Sequence, residues 1–220
     1  MKTIVHLEHV SKHFGRKVLF QDLNLDLPAA QLIGITGPSG AGKTTLLNLL
    51  SGIEPSDQGK IESCGVNLSQ CTANQKMHFY RYRIAFLFQD FGLVEYETVH
   101  NNLEIALRYV RQSKAEKEKA MQLALGKVGL PGFLEQKIYE LSGGEQQRVA
   151  LARVWLKPSE LILCDEPTGS LDEYNKDLVM QILLSFQKSG KTVLLVTHDK
   201  SILPLCHLRY HIQNQTLQAY

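Results

Sequence analysis

Cysteine is scarce in this chain of 220 residues. The four present, Cys64, Cys71, Cys164 and Cys206, form no C-x-x-C pair and show no metal-ligand spacing. That excludes a disulfide framework and a zinc site, and it fits free thiols in a reducing cytosol. An excess of one charge is lacking as well. With 24 Lys and Arg against 22 Asp and Glu the formal net charge is +2, too mild for nucleic-acid binding driven by bulk charge, so no nucleic-acid partner is expected. No apolar run approaches the roughly 20 residues that cross a bilayer, and any membrane spans must come from another chain. The opening residues are not expected to be a secretory signal, because Glu8 and His9 interrupt the apolar stretch. Repeats and linkers are missing too, which leaves one domain, or one domain with an inserted lobe.

What is present is an ordinary apolar fraction of 44%, arranged as alternating strand and helix patterns. Residues 2–7 and 18–27 read as short strands. In the second, Val18 and Phe20, then Leu23, Leu25 and Leu27, alternate with polar residues across a phase slip at Gln21 and Asp22. Leu32 to Thr36 is a brief apolar strand running into a glycine loop, and Thr44 to Leu50 reads as a buried helix ending near Gly52. Strands are expected over Lys60 to Asn67 and Ile84 to Phe88, with a polar, basic segment at 69–83 between them. Residues 101–111 and 114–127 have helical spacing, the charged Lys114 to Lys119 stretch being a solvated helix face. Glu145 to Leu156 is another helix, stopped before Pro158. Leu161 to Cys164 is a strand, Lys176 to Ser189 an amphipathic helix, and Thr192 to Thr197 an apolar strand. This order predicts an α/β fold: a mostly parallel core from about 1–89 and 158–220, with a helical lobe inserted at about 90–157.

Two motifs carry chemistry on their own residues. Gly37, Pro38, Ser39, Gly40, Ala41, Gly42, Lys43, Thr44 and Thr45 match G-x-x-x-x-G-K-[ST] between a strand and a helix, a phosphate-gripping P-loop. Its glycines let backbone N–H groups turn inward, the helix adds its positive N-terminal end, Lys43 reaches the β- and γ-phosphates of ATP, and the Thr44 hydroxyl ligates Mg²⁺. Downstream, Asp165 and Glu166 stand at the carboxyl end of an apolar strand, where ligands gather in open α/β sheets. Asp165 suits Mg²⁺ and Glu166 suits a base that takes a proton from the attacking water. Pro167 then turns the chain into a loop through Asp172.

The P-loop, the string L-S-G-G-E-Q at 141–146, the apolar-D-E-P strand and the V-T-H ending occur in this order. Over essentially the whole chain this resembles the ATP-binding subunit of ABC transporters. The resemblance implies a RecA-like P-loop NTPase core with an N-terminal antiparallel β subdomain and an inserted α-helical subdomain. It implies an ATP-dependent head-to-tail homodimer that sandwiches two ATP molecules, with Ser142, Gly143, Gly144 and Glu145 of one chain facing the P-loop of the other. It also implies that Gln89 senses Mg²⁺ and the attacking water, that His198 acts on the γ-phosphate, and that Asp172 contacts the opposite subunit. Phe14 falls where the family commonly stacks a Tyr on adenine.

The segments F-x-F-Q-D-F-G-L-V and D-E-P-T-G-S-L-D look like the macrolide-exporter and lipoprotein-release (MacB/LolD) subgroup, nearest to bacteriocin and peptide export ATPases. That likeness implies FtsX-like membrane subunits and a place at the cytoplasmic face of a bacterial membrane. Phe91, Leu93, Val94 and Tyr96 are unusually apolar for a loop; they either line the groove that receives the membrane subunit or pack under the helical lobe. The alternative is the ATPase of an FtsEX-like complex that regulates cell-wall hydrolysis. A ribosome- or DNA-acting ATPase is disfavoured, because neither a second ATPase domain nor a long coiled coil is present.

Overall fold

In the computed structural model, which describes residues 2–169 and 171–220, β1 (Thr3–Phe14) and β2 (Lys17–Pro28) form an antiparallel hairpin. Ser170, within the loop expected after Pro167, lies outside the described residues. β1 runs well past the strand expected at 2–7. His9 (φ 52°) and Asp22 (φ 54°) take left-handed backbone opposite a register shift, so the inward face changes phase after Leu7, and a strict period of two loses the strand there. The strand expected at Lys60 to Asn67 is likewise a hairpin. β4 (Gln58–Ser63) turns through Cys64 and Gly65, both at positive φ, into β5 (Val66–Asn67). These four strands make one sheet in the order β2-β1-β4-β5.

The second sheet comprises β3 (Leu32–Thr36), β6 (Ile84–Leu87), β7 (Leu161–Asp165), β8 (Thr192–Val196), β9 (Leu208–Gln213) and β10 (Thr216–Ala219), in the order β10-β9-β3-β8-β7-β6. Pairing is parallel except between β9 and β10. The central strands are covered on both faces, which explains their unbroken apolar runs. Leu32, Ile162, Cys164, Val193 and Leu195 point to one core, whereas Ile33, Ile35, Leu163, Leu194 and Val196 point to the other.

Helices α3 (Val99–Leu107), α4 (Lys114–Lys127), α5 (Gly143–Leu156) and α6 (Glu173–Lys188) contribute to the first core. The second contains α1 (Lys43–Ser51), Phe79 of α2 (Ala73–Tyr82) and the antiparallel sheet. α2 occupies the segment that reads as polar and basic. It fully buries only Phe79, so it has no apolar stripe for periodicity to detect. Its one legible signal is the Thr72/Gln75 capping box. α3 to α5 fall in the segment expected to be a helical lobe, but α5 also packs on α6 and β6, and the lobe shares a continuous apolar cluster with the sheet.

Candidate active site

β3 delivers the chain to the glycine loop at the carboxyl edge of the parallel sheet. Gly42 caps α1 at φ 97°, a left-handed conformation, and a Cβ there would stand 3.1 Å from the Phe20 ring; both facts require glycine. The Lys43 ammonium donates to the carbonyls of Gly37 (2.9 Å) and Pro38 (3.1 Å). It is thus already folded over the loop into which it would draw phosphate oxygens. Ser39, Gly40, Gly42, Lys43, Thr44 and Thr45 line a cavity of about 600 Å³. Gly37, Pro38 and Ala41 are outside that lining, Gly37 and Ala41 half-buried and Pro38 exposed. A Cβ on Gly37 would lie 3.1 Å from Ile212, and Ala41 packs on the second core.

The opposite wall comes from the ends of β7 and β8. Asp165 is buried, and that burial holds its carboxyl above the ordinary value against a hydrogen bond from Thr44 and the nearby Lys43. A hydroxyl and a carboxylate side by side are hard oxygen donors, so this pair fits Mg²⁺. Glu166 follows at φ 46°, left-handed for a residue with a Cβ. Its N–H donates to Val196 O and its carbonyl accepts from Gly169 N–H, both at 3.0 Å. This fixed, unfavourable backbone aims the carboxylate into the cavity. Glu166 Oε2 accepts from the His198 backbone N–H at 3.2 Å and lies 2.9 Å from His198 Nδ1. Gln89 and Phe14 line the same cavity. Phe14 is half exposed, and the Lys12 ammonium sits 5.0 Å from its ring centre. Lys12 is itself buried and paired with Glu54, which anchors that edge.

Lys17, Leu19 and Gly169 also line the cavity, and sequence reasoning misses all three. Lys17 Nζ donates to Gly40 O at 3.1 Å. Only the fold of the β1–β2 hairpin over the glycine loop brings Lys17 and Leu19 there, and no motif marks them; Gly169 arrives through the turn after β7, where its N–H donates to Glu166 O.

Ser142, Gly143, Gly144, Glu145 and Asp172 are not in the lining. Ser142 caps α5 and Asp172 caps α6. The two caps stand together: the Arg148 guanidinium donates to Asn175 Oδ1, Asn175 donates to Asp172 Oδ2 at 2.9 Å, and a Cβ on Gly144 would collide with the Asn175 side chain. Asn175 N–H and its amide hold Asp172 below the usual carboxylate range. Glu145 is engaged within its own protomer. Its carboxylate accepts from Ser142 Oγ (2.7 Å) and Ser142 N–H (2.8 Å) in a capping box, which depresses its pKa. In its own protomer it is a helix cap, and as an acceptor-only anion it is a poor phosphate ligand.

The loop after Gln89 divides between its two expected readings. Phe91 and Leu93 pack against the first core, whereas Val94 is half exposed and Tyr96 is 78% exposed beside Tyr139. Left-handed backbone at Phe91 (φ 65°) and Gly92 (φ 57°) redirects the chain. An apolar cavity, about 430 Å³, lies between Ile53, Phe88, Gly92, Ile105, Tyr109 and Arg153. Among the described residues no helix is long and apolar enough to cross a membrane.

A family model described as ABC transporter matches residues 20–169. The chain is 36% identical over 205 residues to the probable syringafactin export ATP-binding/permease protein SyfD of Pseudomonas syringae pv. syringae (strain B728a), covering 91% of this chain but 31% of that protein. It is 36% identical over 197 residues to the taurine import ATP-binding protein TauB of Escherichia coli (strain K12), covering 89% of this chain and 74% of TauB. Among solved structures, the dimeric post-hydrolysis state of the ATP-binding cassette MJ0796 bound to ADP and Pi superposes with a TM-score of 0.89 at 29% identity, over 98% of this chain and 97% of that one. CbiO1 from Clostridium perfringens, 24% identical with a TM-score of 0.88 over 99% of this chain and 88% of its own, shares the fold.

Proposed function

This chain belongs to the ABC transporter family, and from that premise we propose that it is the ATP-hydrolysing subunit of a membrane transporter, active as a head-to-tail homodimer at the cytoplasmic face of the membrane. One observation carries the proposal. The cavity gathers the glycine loop, Gln89, Asp165, Glu166 and His198, while the Ser142 and Asp172 caps stand outside it. A second protomer would bring those caps to the open side. The dimeric state of MJ0796 with ADP and Pi supports the same arrangement.

The residues divide the work. Backbone N–H groups of the glycine loop and Lys43 hold the phosphates, and Phe14 gives the base a π-face. Thr44, Asp165 and Gln89 would hold Mg²⁺, which screens phosphate charge. Glu166 takes the proton of the attacking water. His198 occupies Oε2, which leaves Oε1 as the oxygen free to accept that proton. Lys43→Ala is expected to weaken ATP binding roughly 10- to 100-fold, the worth of hydrogen bonds to a charged phosphate. Titration with a fluorescent ATP analogue measures this, and an unchanged Kd would remove Lys43 from the site.

For the partner, the apolar cavity beside Phe88 and Gly92 replaces the Phe91 to Tyr96 segment as the docking groove. Ile53, Ile105 and Tyr109 are each about half exposed at its mouth, and Arg81, Arg153 and Lys157 line it with no carboxylate. That chemistry fits a short apolar segment bearing an acidic side chain, supplied by an FtsX-like membrane subunit. Ile105→Asp is expected to abolish co-purification with that subunit while basal ATPase activity persists. Retained co-purification would rule the groove out. The names of SyfD and TauB speak of export and import respectively. The reading as an exporter of a peptide, bacteriocin or drug rests on the MacB/LolD-like segments.

A further inference from the structure

Arg153 lies on α5 about 11 residues after Ser142, roughly 16 Å along the helix at about 1.5 Å per residue. Its guanidinium donates Nη2 to Phe91 O at 2.7 Å and Nη1 to Gly92 O. The two carbonyls belong to the turn that follows Gln89, closed by Phe91 N–H on Phe88 O at 3.0 Å. Phe91 is left-handed at φ 65° although it carries a Cβ, so the turn is held in a conformation that a free loop would relax. Around it there is little room, since a Cβ on Gly92 would stand 3.0 Å from the Phe88 ring and 3.4 Å from Arg153 Nη2. Burial depresses the guanidinium pKa, with Asp90 opposing, yet an arginine keeps its charge under such conditions. A rigid, charged fork therefore clamps two adjacent carbonyls of a strained turn.

We propose that Arg153 is a positioning residue that latches the Gln89 turn to α5, so that the state of one ATP site is transmitted to the Ser142 cap offered to the other site. The inference rests on the dimeric ATPase reading above. Gln89 faces the nucleotide cavity of its own protomer, and Ser142 is the N-cap of the very helix that Arg153 holds. With the latch intact, a shift of Gln89 drags α5 as a body. Without it the turn relaxes alone, and Ser142 no longer follows.

The experiment is a double-mutant cycle in the Glu166→Gln background. It reads the ATP concentration that half-closes the dimer, by size exclusion with light scattering. Arg153→Lys keeps charge and stem but cannot reach both carbonyls. It is expected to raise that concentration about tenfold, the worth of one lost charge-assisted hydrogen bond, while binding of a fluorescent ATP analogue to the open monomer stays unchanged. Gln89→Ala is expected to raise it as well, and the two together to cost no more than the larger single effect. Additive costs would mean that Arg153 acts only through general stability, and unchanged closure in Arg153→Lys would mean that it acts on nothing; either overturns the latch. Arg153→Gln run through the same cycle serves if the Lys variant melts early. If the Glu166→Gln parent itself fails to close with ATP, the dimeric reading falls, and the latch with it.

Discussion

Glu166→Gln is expected to bind ATP normally, to trap a closed dimer and to hydrolyse roughly 10²–10⁴-fold more slowly, the usual worth of a positioned general base. The substitution keeps the shape of the side chain, and its amide oxygen can take the place of Oε2 and accept from the His198 backbone N–H as the carboxylate does at 3.2 Å, which leaves a non-basic NH₂ where Oε1 faced the water. What disappears is the basicity of the oxygen facing the water. The strained backbone at φ 46° is unaffected, so the variant isolates the chemistry from the geometry. Single-turnover hydrolysis alongside a binding titration separates the two. Normal turnover would show that another group takes the proton.

Ser142→Arg carries the second large expected effect: complete loss of ATP-driven dimerisation, with ATP binding by each protomer retained. The cap is exposed, and its hydroxyl and N–H are engaged only with Glu145. A long side chain there is tolerated within the protomer, apart from the loss of an N-cap worth about 1 kcal/mol. Across the proposed interface it would occupy the space where the partner's phosphates must approach. Light scattering of the Ser142→Arg/Glu166→Gln double variant with saturating ATP provides the measurement. A dimer of undiminished stability would mean that the second half of the site lies elsewhere.

Much of this was legible in the sequence because the chemistry is local in the chain. The glycine loop is a contiguous motif, and its flanking strand and helix appear within a residue or two of their expected places. Asp165 and Glu166 sit at the end of a strand whose burial on both faces leaves an unmistakable apolar run. The resemblance carried Gln89 and His198, and the structure brings both into one cavity with the loop. Where reading failed, the signal was not periodic. A bulge changed the phase of β1, α2 buried a single apolar side chain, and left-handed residues in the Gln89 turn sent Phe91 inward where composition left groove and inward packing both open. Glu145 belongs to the signature string, and its capping contacts with Ser142 within the protomer are local enough for the S-x-x-E spacing to show them.

The sequence by itself determined which residues can hold phosphate and a hard cation and which can accept a proton, since those capacities follow from residue type and short spacing. It also determined the strand and helix alternation that makes a parallel core. Only the tertiary structure decided which of those residues meet. Lys17 reaches the glycine loop because a hairpin folds over it, the Ser142 and Asp172 caps are held together outside the cavity through Arg148 and Asn175, and Arg153 grips carbonyls some 60 residues away in the chain. Such contacts form between backbone groups and side chains far apart in sequence, and a carbonyl carries no residue identity to read.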